Sequence, residues 1–157
     1  MTGLAAAFQE PRRREAIVRD AAALLRREVA SKRGLRGAAL KAGFRAFQTL
    51  RPGIVDAALR RLLPLFIEAV QPHWTEAKHD RDPRQFFVSR KDVVAESMLS
   101  VTDTLSLRAK NRAMIRIYRS LRGQAVQHVQ DAVPALADLL SKHDPGSEAT
   151  YNSSPTP

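Results

Sequence analysis

The chain has 157 residues, 44% apolar and only 6% aromatic, enough for one domain with a core of its own. It has no cysteine, which excludes disulfides and thiolate-held metal, and no apolar run near the ~18 residues that a membrane span needs. Its net charge of +10 is uneven: 14 basic and 5 acidic side chains in residues 1–64, 5 and 7 in 65–103, 7 and 2 in 104–142.

In chain order, residues 1–10 read as a flexible N-terminus. Their apolar run "GLAAAF" lacks a basic flank and is short for a signal-peptide core, so a cytoplasmic protein is expected. Pro11 suits the first turn of a helix that places Ile17, Val18, Ala21, Leu24, Leu25 and Val29 on one face, with Glu28 among them. Gly34 and Gly37 then interrupt the chain before "GLRGAALKAGFRAFQTL", apolar around about two-thirds of its circumference. A helix apolar nearly all round is normally enclosed by others. Leu35–Leu50 is therefore expected to be the central helix, its small residues letting neighbouring backbones come close.

Pro52 ends that helix. "PGIVDAALRRLLPLFIEAVQP" predicts a third one, kinked or split at Pro64 and closed by Pro72. Residues 73–88 read as a long polar connection anchored by Trp74 and Phe86–Phe87, followed by a capping box from Ser89 to Asp92. A fourth helix runs from about residue 90 to 102. Beyond it the apolar face swings by half a turn, which predicts a break at "TDT" capped by Thr102, Asp103 or Thr104. A fifth helix then ends near Gly123, and a last one is bent or restarted at Pro134. The fold class is thus all-α, a single-domain bundle of five or six helices over residues 11–143. Residues 144–157, polar and rich in Pro and Ser, read as a disordered tail.

The sharpest candidate site is a row of arginines, Arg108, Arg112, Arg116 and Arg119, within about 80° on one helical face. No acidic residue lies between Thr104 and Gln130 to neutralise them. Guanidinium groups suit bidentate contact with phosphate. The competing reading is a solvated face, or one covered by the acidic 65–103 segment. Asp92, Glu96 and Asp103 share a face too, but nothing fixes a metal geometry there, and the four histidines lack zinc spacing. No metal, no cofactor and no catalytic motif is expected. Few aromatics and no convincing helix-turn-helix leave any nucleic-acid contact phosphate-directed and weakly sequence-specific. Two other classes stay open: a peripheral membrane or lipid-binding domain that uses the basic first helix or the apolar second, and a helical scaffold forming a homo-oligomer.

The segments "SKRGLRGAALKAG", "RPGIV", "RLLP", "QPHW", "SVTDT" and "LRG", in this order over residues 31–136, resemble a family of small, basic, all-helical bacterial proteins of unknown function. The resemblance implies a single helical domain and carries no site residues with it.

Overall fold

A computed structural model of the chain describes residues 3–146, and among them there are seven helices and no strand. They are α1 (Leu4–Gln9), α2 (Pro11–Ser31), α3 (Gly34–Gln48), α4 (Ile54–Ala77), α5 (Pro83–Ser89), α6 (Lys91–Arg108) and α7 (Arg112–His143). The all-α, single-domain reading holds, with one or two more helices than expected. The long helices α4 and α7 act as two masts. Each of the other five helices packs against both of them, while α4 and α7 are not themselves a closely packed pair. That leaves space between the masts for side chains from the other helices, or for something else.

Residues 4–9, expected to be flexible, form α1. Leu4, Ala7 and Phe8 are buried in the main core, because α1 presents its apolar side to α2, α4 and α7. Glu10 then stops α1 and starts α2 by accepting hydrogen bonds from the backbone N–H groups of Arg12 (3.0 Å) and Arg13 (2.9 Å), with Pro11 in the first turn. Neither proline of α4 ends it. The helix runs through Pro64 and Pro72, both rings on the exposed side, where the carbonyls they leave unbonded face water. Trp74 therefore sits inside a helix, not in a connection. The expected capping box is also absent: Ser89 closes α5 by donating to the Phe86 carbonyl (2.6 Å), and α6 starts without a side-chain cap.

The break foreseen at "TDT" falls at residues 109–111. Thr102, Thr104 and Ser106 donate to carbonyls three or four residues back, so their hydroxyls are satisfied within α6 and do not cap a new helix. Asn111 caps α7 instead, accepting from the Met114 N–H at 3.1 Å. From there α7 passes through Gly123 and Pro134 without stopping.

Helix α3, expected at the centre of the bundle, is peripheral. Only Gly37 of its fifteen residues is buried, Leu35 is 92% exposed, and Ala38, Ala39, Ala42 and Ala46 face solvent. Small side chains offer little area to bury, so the helix gains little from an enclosed place. It docks by Phe44, Phe47 and Leu50, half-buried against Ile54 and Val55 of α4 and Ala22 of α2.

At the tail, Asp144 is buried: its carboxylate accepts from Trp74 Nε1 (2.8 Å) and the Gly146 N–H (3.0 Å) and pairs with Lys78 Nζ (2.8 Å). The folded part thus extends past residue 143, and the remaining tail, 147–157, lies outside the described residues.

Candidate functional site

The arginine row is only partly brought together. Arg112, Arg116 and Arg119 share the first turns of α7, whereas Arg108 ends α6 on the other side of the break. All four are exposed, and among the described residues none has an ion-pair partner. The acidic segment reaches α7 through Asp103, which accepts a bidentate bond from Arg122 Nε (2.7 Å) and NH2 (2.9 Å) and a bond from the Tyr118 hydroxyl. The Arg122 contact, then that of Tyr118, holds the Asp103 carboxyl below its usual range. Asp103 is thus spent on Arg122 and does not cover the row. Among the described residues no three His, Asp or Glu side chains are grouped to hold a metal ion.

A polar cleft of about 430 Å³ opens where α2 passes into α3 and meets α7. It is lined by Glu28, Ser31, Lys32, Arg33, Arg36, Gly37, Gln127, His128 and Asp131, so the "SKRGLRG" stretch supplies much of one wall. Lys32 Nζ bridges Asp131 (3.2 Å) and Glu28 (3.7 Å). Gly37 is required there, since a Cβ would lie 2.7 Å from the Lys32 carbonyl carbon. Both ring nitrogens of His128 are shut off from solvent with no hydrogen-bond partner. Burial, then the nearby Lys32, lowers its pKa below 6.5, so the ring is neutral. A ligand in the cleft would not reach those nitrogens without side-chain rearrangement.

The more informative space lies between the masts. An apolar cavity of about 320 Å³ is walled by α2 (Ile17, Ala21, Leu24, Leu25), α4 (Val55 to Val70) and α7 (Leu136, Leu139, Leu140), with Leu4, Phe47 and Met98 at its edges. His143 is the one polar residue in the wall. The sequence reading did not find this site, but a signal for it was present. Three leucine doublets, Leu24–Leu25, Leu62–Leu63 and Leu139–Leu140, all line the cavity. Adjacent helical residues point about 100° apart, so a doublet widens the apolar stripe beyond what one core contact needs. Leu63 and Leu140 are buried, while Leu24, Leu25, Leu62 and Leu139 are half-buried at the rim.

A wall this apolar gives water almost nothing to bond to, and the half-buried leucines at the rim leave the pocket partly open. Cavities of a few hundred Å³ with one or two polar groups are the usual form of a small-molecule site.

The protein is a small all-helical bundle with an apolar pocket between α2, α4 and α7. Residues 4–144 match the model of a family of unknown function, DUF6918, and the chain belongs to that family. No curated protein and no solved structure matches it. Among the described residues no helix is long and apolar enough to cross a membrane.

Proposed function

We propose that the protein binds, without catalysis, an apolar or amphiphilic small molecule of the lipid class in the cavity between α2, α4 and α7. The observation that carries this is the pocket of about 320 Å³ itself, lined by apolar side chains with His143 as its one polar residue. The test is thermal unfolding of the delipidated protein with and without a medium-chain lipid, beside an Ala58→Leu variant that fills the cavity from α4. At a hundred times the dissociation constant, ligand adds about 2.7 kcal/mol, or roughly 5–10 °C in Tm at this chain length. Ala58→Leu is expected to raise the Tm of the ligand-free protein and to remove the ligand-dependent rise. A wild type that retains no lipid and shows no shift would overturn the reading.

A second reading is favoured by the four arginines without carboxylate partners. The N-terminal end of α7 already carries positive potential from its dipole, and Arg112 and Arg116 add to it. On this reading the surface binds a polyanion such as nucleic-acid phosphates. Four contacts predict a slope of about −3.6 in log K against log salt on duplex DNA. Replacing Arg108, Arg112, Arg116 and Arg119 by Gln should abolish binding without loss of helicity. Unchanged affinity would dispose of it. A scaffold, by contrast, would show neither ligand but a defined homo-oligomer.

A further inference from the structure

Leu24 and Leu139 belong to two walls at once. On one side is the apolar cavity; on the other is a polar cleft of about 250 Å³ between α2 and α7. The cleft adds Asp20, Arg27, Asp138 and Lys142 to its lining. This pair of leucines thus separates the two spaces, and a molecule whose tail fills the cavity reaches the charged cleft where their half-buried side chains turn aside.

The charges at that exit are nearly all matched. Asp20 Oδ2 lies 2.8 Å from both Lys142 Nζ and His143 Nε2, and its Oδ1 lies 3.9 Å from Arg19. Asp138 accepts from Arg84 Nε at 2.8 Å. Arg27 is the exception: its side chain is exposed, and among the described residues it has no carboxylate within ion-pair distance. The unmatched charge at the exit is thus positive. Lys142 can also turn toward a ligand, since His143 still holds Asp20.

We propose that the cavity takes a single-chain anionic amphiphile, its alkyl tail between α2, α4 and α7 and its carboxylate or phosphate head at Arg27, with Lys142 beside it. This rests on the cavity reading above. Taking a methylene as about the ~30 Å³ share of a water molecule in the liquid, the cavity holds a tail of roughly ten carbons. Shape selects the tail, and charge selects the head.

The experiment is calorimetric titration of the full chain with dodecanoate, dodecyl phosphate, dodecanol and dodecylamine, each below its micelle concentration. The two anions are expected to bind about two- to fivefold tighter than the alcohol, the range of one exposed ion pair, with the amine weakest. The stronger of the two anions then identifies the head as carboxylate or phosphate. Arg27→Gln should bring the anions down to the affinity of the alcohol and leave the alcohol unchanged. Arg27→Glu should invert the order in favour of the amine. Equal binding of acid, alcohol and amine would overturn this inference alone. Binding of none of them would overturn the cavity reading, and this inference with it.

Discussion

The two ends of this bundle are built on opposite terms. Around Trp74 the packing is dense: Trp74 and Phe87 meet edge to face, ring centroids 5.6 Å apart and planes at 84°, with Val94, Val133 and Ala137 fully enclosed beside them. At the other end α3 is more than half apolar by composition, yet it buries one glycine. The difference is area. Trp and Phe remove on the order of 150–250 Å² each from water, so a few of them organise a core, whereas a run of alanines and glycines cannot. Apolarity by count and apolarity by surface are separate quantities, and only the second decides what goes inside.

The sharpest way to break the comparison is Phe87→Ala. In the dense end it should cost about 3–5 kcal/mol, because neighbours from α4, α6 and α7 hold a cavity open. A cost under 1 kcal/mol in urea unfolding would show that this end is no tighter than α3.

Asp144→Ala comes next, at about 3 kcal/mol, since it leaves Lys78 without its partner and the Trp74 N–H unbonded. Burial works against the Asp144 charge, but the bonds from Lys78, Gly146 and Trp74 outweigh it and hold the carboxyl below 3.8. A carboxyl lowered on folding stabilises above its unfolded pKa and loses that contribution as pH falls through the folded one. Asp20 and Asp103 are lowered as well. His128, also lowered, is neutral in the fold and must resist protonation below 6.5. The urea midpoint should therefore decline gently below about pH 6.5 and steeply below about pH 4. His128→Leu should remove only the gentle part. A midpoint rising on acidification would contradict these directions.

At the loose end the effects shrink. Gly37→Ala should cost about 1–2 kcal/mol by pushing against the Lys32 backbone, which cannot step aside. Leu35→Ser should change stability by no more than about 0.5 kcal/mol. If Leu35→Ser instead disperses an oligomer seen by light scattering, α3 is an interface and its exposure is only that of the isolated chain.

The helices themselves were legible because Ile17, Val18, Ala21 and Val29, or Ile54, Leu63, Ile67 and Val70, recur at helical spacing and do face the core. What stayed hidden depended on neighbours. Pro64 is read as a kink or split and Pro72 as a stop, yet on a solvent-facing side they cost too little to end a helix anchored by Trp74. Thr102 and Thr104 look like caps until their hydroxyls find carbonyls of their own helix. Asp144, in a segment that reads as a polar tail, is fixed by a tryptophan seventy residues away. The cavity was the hardest to see, since a void is a property of α2, α4 and α7 together; the leucine doublets mark its rim only in retrospect.

The two-mast arrangement has a consequence for how the chain matures. Because α1, α2, α3, α5 and α6 all lean on α7 as well as on α4, no N-terminal portion holds both of its supports. The ties Asp20–His143 and Lys32–Asp131 join residues 123 and 99 positions apart. The surfaces of α1, α2, α3, α5 and α6 that face α7 therefore have no partner until residues 112–143 have been made.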